Sequence, residues 1–572
     1  MERRVLIAVV LSFLVLYGYQ TFLAPPTPKP AAAVAVRSPA TVGRNSQAQP
    51  SPQIEENVDT VTSETAERQI TVETTTAEVV FSNRGGRVLH WRLKNYRDEA
   101  GKPVDLVPTG IPANEASPFS LRVDDATQTA RVNTALYRVS GDTSGRVDAT
   151  SSPATLTFEF QDAAGLSVTK RFTFEPTQYV VKFSASASVA GRELNPTMAW
   201  GPGLGDSGVR AAGGSFFTGN AVQPPQAIVR TKDSIDRLAI SSLAEKGQRS
   251  GEFNFIGIDD HYFLAAAIQP GATQASFAGL TVATPGAEDR QFVTMTLRFA
   301  QAPRDVRFFV GPKQFDTLRA IDQDLIRAIN FGMFAWLVLP MLSTLKWLYS
   351  YVGNYGWSII LLTVIINLII FPLRHKTVVS MRKMQALQPQ LKAIQDRYAG
   401  LSMTDPSRQK MNTEVMNLYK EKGVNPASGC VPMLLTFPVL FAFYALLSQA
   451  IELRGAPFML WITDLSLRDP YFVTPLLMGA SMFWQQKITP STADPAQQRM
   501  MLFMPIIFTG MFLRFPSGLA IYYFTSNLWS IGQQYFTNWW IGPAVVPAVR
   551  PPAERRLKNA GAGRTDGADK KS

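Results

Sequence analysis

Apolar and polar positions divide this 572-residue chain into two unlike halves. Up to about Pro312 the apolar runs are short after the first one, whereas from Phe331 to Trp540 long apolar runs dominate. Five segments are long or apolar enough to cross roughly 30 Å of bilayer hydrocarbon: Val5 to Ala24, Trp357 to Leu373, Cys430 to Ile451, Tyr471 to Trp484, and a block from Met500 to Trp540. Phe515-Pro516-Ser517-Gly518 breaks that block in two, so six spans are predicted. The pattern describes a polytopic α-helical membrane protein carrying a large water-facing insert.

The insert, about Gln69 to Val310, alternates with period two in Glu78 to Phe81, Thr155 to Phe160, Val168 to Phe174 and Tyr179 to Phe183, with Gly, Asn and Asp turns between. An all-β sandwich of about 240 residues follows. Trp91 and Trp200 are either core aromatics, the commoner case in a sandwich, or part of a sugar-binding face. Asp259-Asp260-His261 offers acid/base groups, but a lone His beside a strand is more often a satisfied structural residue.

The first span follows Arg3 and Arg4 and lacks a small residue at the start of an A-x-A cleavage site, so it reads as an uncleaved anchor. Ala24 to about Arg68, rich in Pro, Ala, Ser and Gln, reads as a semi-extended tether. Between the second and third spans, Met381, Met384, Leu387 or Gln388, Leu391, Ile394 and Tyr398 recur three or four apart. After a Gly400 to Ser407 turn, Met411, Val415, Leu418 and Tyr419 do the same, predicting a helical hairpin bent at Pro389. Its methionines form either the hairpin seam or an adaptable surface for greasy client segments.

Charge fixes the expected orientation. With the start inside, Met1 to Arg4, Arg374 to Lys422, Lys487 to Arg499 and the residues after Ile541 are cytoplasmic, and together they hold the whole net charge of +12. Phe331 to Val352 is apolar but contains Pro340, Lys346 and four interfacial aromatics, and a crossing there would invert that balance. It is therefore expected, with Phe315 to Asn330, on the outer membrane surface. One cysteine and three histidines leave little room for a disulfide framework or a Cys/His metal site, and no phosphate-binding loop is present. No cofactor, metal or nucleotide is expected, and catalysis by an enzyme is not.

Polar residues inside the spans must pair or face water. Thr363 and Asn367 lie four apart on the second span, Gln449 marks the third, and Gln485, Gln486, Ser526, Asn527, Gln533 and Gln534 mark others. Interhelical hydrogen bonding explains any one of them; several together suggest a wet cavity.

Three motifs carry a resemblance. They are Asn425-Pro426-x-x-Gly429-Cys430-x-Pro432; Glu452-Leu453-Arg454-x-Ala456-Pro457-Phe458-x-Leu460-Trp461-Ile462-x-Asp464-Leu465-Ser466 with Asp469-Pro470; and Phe515-Pro516-Ser517-Gly518-Leu519-x-x-Tyr522-Tyr523-x-x-Ser526-Asn527. With Gly311-Pro312-Lys313, they resemble the YidC membrane protein insertase family in its Gram-negative form, over essentially the whole chain.

The resemblance implies a five-helix insertase core around a hydrophilic groove, and a periplasmic β-supersandwich resembling sugar-epimerising folds. It implies insertion and folding of nascent membrane proteins, alone or beside the Sec translocon and its accessory subunits, with the ribosome and membrane lipids as further partners. Groove residues would be Thr363, Asn367, Thr436, Tyr522, Tyr523, Ser526 and Asn527; recruitment by the hairpin would use Met381, Met384, Leu391, Ile394 and Met411. Two positions depart from the family pattern: Asn367 stands where the family places a groove Arg, and Thr436 where it places a Gln. An Asn keeps the position polar but supplies no fixed charge. Arg514 replaces an aromatic residue and is expected to snorkel at the outer interface.

The expected division is an anchor (1–24), tether (25–68), periplasmic domain (69–312), interfacial helices (313–355), second span (356–373), cytoplasmic hairpin (374–425), spans three to six (426–540) and a basic tail (541–572). A secondary transporter would need a midplane ionisable pair or inverted repeats, and neither is present in the sequence. A membrane-anchored carbohydrate-binding protein is the other alternative.

Overall fold

The computed structural model describes residues 60–541 apart from 99, 113–114, 206–222, 284–288, 399–406, 424–430 and 490–494. The anchor, most of the tether, the tail after Ile541 and the motif residues Asn425, Pro426, Gly429 and Cys430 lie outside the described residues. The described residues form two compact units: one up to Phe331 together with Ser448–Gly455, and one of Gly332–Leu447 with the described residues from Ala456 on.

The first unit is β-rich. A five-stranded sheet runs in the order Pro103–Asp105, Arg87–Arg97, Ala77–Ser82, Gln69–Glu73, Arg146–Asp148, antiparallel except for its last pair. The larger sheet has 14 strands. Toward one edge lies a meander of Ala154–Asp162, Leu166–Phe174 and Val180–Val189, where burial largely alternates as the period-two pattern predicts. The two sheets meet through aromatic rings: Phe81 lies 5.5 Å from Phe158 and 4.9 Å from Phe172. Phe119 then joins Phe172, Phe183, Trp200 and Phe308 at 5.0–5.4 Å.

One strand changes partner along one of its edges while Gln248–Asp259 lines the other. Phe263–Val282 pairs with Val306–Pro312 along its first third and with Arg290–Phe299 along its second half. The change of partner falls at Gln269 and Gly271, whose positive φ values of 46° and 73° turn the chain between them. Trp91 and Trp200 are 3% and 1% exposed, so neither is available to a sugar-binding face. The tether is shorter than expected: Thr60–Thr62 pairs with Ala154–Asp162, and Arg68 bridges Glu64 and Asp142 at 2.7 Å each. The β-branched Thr-Val-Thr run supplies that edge strand.

Asp259, Asp260 and His261 are buried and structural. Lys313 pairs with Asp259 at 2.7 Å and donates to the Asp260 carbonyl at 2.6 Å, joining Gly311-Pro312-Lys313 to the neighbouring hairpin. Asp260 Oδ1 accepts from the backbone of Tyr262 and Phe263. Burial pushes the Asp260 carboxyl up to about 6, and burial with nearby Lys313 pushes His261 down to about 4. Ser448–Gly455 belongs to this unit: Arg454 lies over the rings of Tyr262 and Phe263 at 5.1 and 5.3 Å. Phe315–Asn330 is not one helix; a helix spans Phe315–Ile321, Asp322 is extended, and a 3-10 turn Gln323–Ala328 follows, capped by the Asp322 side chain.

The second unit is helical: α1 Ala335–Val352, α2 Tyr355–Ala386, α3 Gln388–Arg397, α4 Ser407–Glu421, α5 Val431–Gln449, α6 Val473–Ile488, α7 Pro495–Phe512 and α8 Ser517–Ile541. In α1, Val338, Met341, Leu342, Leu345 and Leu348 form one buried stripe while Trp336, Trp347 and Tyr351 are exposed. Gly353, left-handed, ends α1, and the Asn354 side chain caps α2.

A second span ending at 373 and a hairpin starting at 374 were expected as separate elements. The backbone makes no such break: α2 runs 32 residues through Pro372 and stops at Leu387. At 1.5 Å per residue it is about 48 Å long, more than the hydrocarbon requires. Among the described residues it is the helix long and apolar enough to cross a membrane, while Phe437–Gln449 and Met501–Phe512 are shorter apolar stretches.

Candidate functional site

Helix α8 packs against both α2 and α6, and α6 against α7. The start of α8 is fixed by the loop between α5 and α6. Ser517 N–H donates to Leu467 O at 2.7 Å and Gly518 N–H to Leu465 O at 3.1 Å, so Phe515-Pro516-Ser517-Gly518 clasps the Asp464-Leu465-Ser466 motif. Two of the motifs that carry the resemblance therefore meet, and satisfying the orphan N–H groups of a helix start is what they do there. Farther along that loop, Asp469 accepts from Trp461, Tyr471 and Thr474 at 2.8–3.0 Å. Burial opposes ionisation of Asp469, but these bonds outweigh it and hold the carboxyl below the usual range.

Inside the bundle, Thr363 is fully buried and Asn367 is 3% exposed. Each bonds within its own helix: Thr363 Oγ1 donates to Ile359 O at 2.7 Å, and Asn367 Nδ2 to Thr363 O at 2.8 Å. Asn527 crosses from α8 to α6, donating to Ser481 Oγ at 3.0 Å. Tyr522 stacks on Phe443 of α5 at 4.0 Å, and Tyr523 packs edge-on against Phe512 of α7 at 5.0 Å. Ser526 lends its carbonyl to Ser530 Oγ at 2.8 Å. Thr436 lies on α5, and its side chain falls outside the described residues.

Toward the hairpin the character of the α2–α8 seam changes. Arg374 Nη1 donates to Ser530 Oγ at 2.8 Å, and Gln533 Nε2 to Phe371 O at 3.5 Å. His375 faces Thr537 at 3.5 Å, and Arg382 reaches Asn538. Sequence reasoning missed Arg374, Ser530, Thr537 and Asn538, although Ser530, Gln533, Gln534 and Thr537 recur at helical spacing. A separate crevice of about 590 Å³ between α2 and α8 is walled mainly by apolar side chains, among them Val364, Leu368, Leu528 and Trp529.

The hairpin seam is real but small. Met384 and Leu387 are buried together with Leu391 and Tyr419 packed on them. Ile394 is also buried, whereas Met381 and Met411 are partly exposed and Met416 is open to solvent. Arg397 and Tyr398 both bond Glu414, holding α3 to α4. Proline 389 stands in the first turn of α3, where the expected bend occurs.

Family models match nearly the whole described chain: a 60Kd inner membrane protein model over residues 347–542, and a YidC periplasmic domain model over residues 69–344. The membrane protein insertase YidC of Geobacter metallireducens is 36% identical over 562 residues, covering 94% of this chain and 98% of that protein. That of Syntrophus aciditrophicus is 34% identical, covering 94% and 99%. The chain belongs to the YidC membrane protein insertase family. A crystal structure of an active YidC insertase with its first transmembrane domain resolved aligns at 18% identity and a TM-score of 0.35, covering 84% of this chain and 95% of that one. As a YidC family member the chain has a β-rich periplasmic domain and a helical insertase region, and the family is one of inner-membrane insertases, not of enzymes in the usual sense.

Proposed function

We infer that the chain inserts and folds integral membrane proteins in the bacterial inner membrane, alone and beside the Sec translocon. Six spans with both termini cytoplasmic are the topology that the +12 charge placement supports, and the family resemblance adds a supersandwich as the form of the periplasmic domain. The observation that carries the reading is the run of polar side chains along α2, α6 and α8: Thr363, Asn367, Ser481, Asn527 and Ser530. Together with Thr436, Tyr522, Tyr523 and Ser526, these residues line the groove of this proposal. Such a groove shortens the path over which a client's polar flank is desolvated, and the client's apolar span then partitions into lipid and drives the step.

The hairpin receives the client first. Its buried seam supports the fold, while the partly exposed Met381, Met411 and Met416 offer an adaptable apolar surface. The cations around it face lipid headgroups and ribosomal RNA.

The test is reconstitution of the purified chain in liposomes, with protease-protected insertion of a short two-span client made without Sec. Insertion above empty liposomes is expected. Its absence there, together with its absence when Sec channel is added, would overturn the reading.

A further inference from the structure

Between α5 and α6, residues 456–463 carry no charge. The stretch folds back on itself: Phe458 N–H donates to Ile462 O at 3.0 Å, Ile462 N–H to Met459 O at 3.1 Å, and Leu465 N–H to Ala456 O at 3.0 Å. Met459 and Leu460 stand at the tip of the turn so closed, and they are 45% and 78% exposed.

The backbone at Leu460 makes the choice of residue informative. Its φ is 54°, in the left-handed region that Gly and Asn enter readily and a bulky apolar residue seldom does. A turn that only had to reverse the chain in water would take one of those two residues. Here strain and an exposed apolar side chain occur together, so the side chain is what the position serves.

The tip is fastened to three helix starts. Asn354, the cap of α2, donates from Nδ2 to Phe458 O at 2.9 Å, and the Phe458 ring lies so close to Gly356 that a Cβ there would meet it at 2.0 Å. Leu465 and Leu467 hold the start of α8, and Asp469 accepts from Thr474 N–H at 2.8 Å in the first turn of α6.

The surface continuous with the tip identifies what covers it. Trp357 meets the Phe458 ring at 5.6 Å, and Trp357 and Leu361, one turn apart on α2, are both exposed, as lipid-facing residues of a span are. Trp461 packs edge-on against the exposed Tyr471 at 6.2 Å, a pair of the kind that gathers at membrane–water interfaces.

Resting on the topology of the insertase reading, which sets this loop on the outer side, we propose that Met459 and Leu460 form an apolar foot inserted among the acyl chains of the outer leaflet. The foot fixes the depth at which α2, α6 and α8 begin. Acyl chains take up an apolar tip that water would exclude, and they need no matching surface to do so.

The experiment uses the full chain with Cys430→Ser in phosphatidylcholine vesicles, with a nitroxide at Leu460→Cys, Thr463→Cys or Arg468→Cys. Its collisions with oxygen, which dissolves in lipid, are compared with those of a nickel chelate, which stays in water. Oxygen should dominate at 460, at a depth of about 5–10 Å into the headgroup and acyl boundary. The chelate should dominate at the exposed Arg468. Because a nitroxide is itself apolar, a second measurement leaves the tip unlabelled: a label at the exposed Thr463 should shift toward water when Met459→Gln and Leu460→Asn are combined. Asn accepts the left-handed backbone, so the turn is kept.

Chelate dominance at 460 overturns the proposal. Shielding of 460 from both reagents also does, because protein then covers the tip. A label at 463 whose depth ignores the polar tip overturns it as well and leaves depth to the helices alone. Sidedness is read separately, by a membrane-impermeant maleimide that should reach Arg468→Cys from outside in spheroplasts. Reaction only from the cytoplasmic side sinks the topology and the outer leaflet with it, whereas a wrong depth with the right sidedness sinks the foot alone.

Discussion

Asn367→Leu should separate stability from activity. The variant removes one side-chain hydrogen bond, from Nδ2 to Thr363 O at 2.8 Å. That oxygen is already the acceptor of the helix bond from the Asn367 backbone N–H, so no acceptor is orphaned when the amide goes. A net hydrogen bond of this kind is worth about 0.5–1.5 kcal/mol, and bonds between membrane helices average about 0.6 kcal/mol. Leucine at a span centre favours insertion by about 0.3–0.6 kcal/mol, and the cost of burying the amide disappears. These contributions cancel to within about 1 kcal/mol, or at most about 4 °C in Tm for a unit of this size. Activity has no such compensation, because Leu cannot hydrate a client's polar flank. Losing about 0.7–1.4 kcal/mol of that relief slows insertion roughly three- to tenfold. The assay pairs thermal unfolding in detergent with protease-protected insertion of a polar-flanked client in liposomes. Wild-type yields from the Leu variant at an unchanged Tm would refute the reasoning, and a Tm lowered by about 10 °C would refute the packing account.

Two further outcomes follow from buried contacts. Lys170 is fully buried, with Nζ donating to the carbonyls of Gly85, Gly86 and Phe119 at 2.6, 3.3 and 2.9 Å, and burial, with nearby Arg87, pushes its pKa down from 10.5 to about 7. Between those values the unfolded chain binds more protons, so stability rises with pH by up to about 1.4 kcal/mol per unit; Lys170→Met should lack this slope, and denaturant unfolding of wild type and variant at pH 7.5 and 9 that shows a constant gap would contradict it. In the helical unit a Cβ on Gly479 would lie 2.0 Å from Thr509 Oγ1, so Gly479→Leu should force α6 from α7 and lower stability by about 1–3 kcal/mol. Thr509→Ala should recover part of that loss in thermal unfolding, and no recovery would mean the crowding lies elsewhere.

Much of the fold is written locally. The alternation in Leu166 to Phe174 reports a half-buried strand because strand side chains alternate faces, and Phe515-Pro516 reports a helix break because proline cannot continue one. What escaped the sequence is set by distant partners. Thr60–Thr62 becomes a strand only because Ala154–Asp162 offers an edge, and Phe263–Val282 is divided between two partners more than 25 residues from its start. Hydropathy also does not show how far the helix of the second span continues. The charges from Arg374 mark a change of solvent, but they do not stop a helix, and Pro372 removes only one backbone donor. With the chain divided at residue 373, nothing in the sequence shows that Arg374 shares a helix face with Asn367 and bonds Ser530 of α8.

Once α2 is one helix, its two halves differ in how they are held. Near Thr363 and Asn367 the polar side chains bond within their own helix, so moving α2 away from α8 there breaks none of their hydrogen bonds. Toward the hairpin, Arg374 to Ser530, Gln533 to Phe371 and Arg382 to Asn538 all cross between the two helices, and separation there would leave the buried Gln533 amide and two partly buried guanidinium groups without these partners, at a cost of up to about 1–3 kcal/mol for the buried one. The apolar crevice beside Leu368 and Leu528 adds little resistance, since its walls are only partly in contact. By side-chain hydrogen bonding alone, local opening free energies rise along α2 toward the hairpin, with the weakly held part at Thr363 and Asn367. A bundle that needed only to be stable would place its cross-helix bonds where its polar residues are most deeply buried; in α2 the deepest ones, Ser358, Thr363 and Asn367, contribute none.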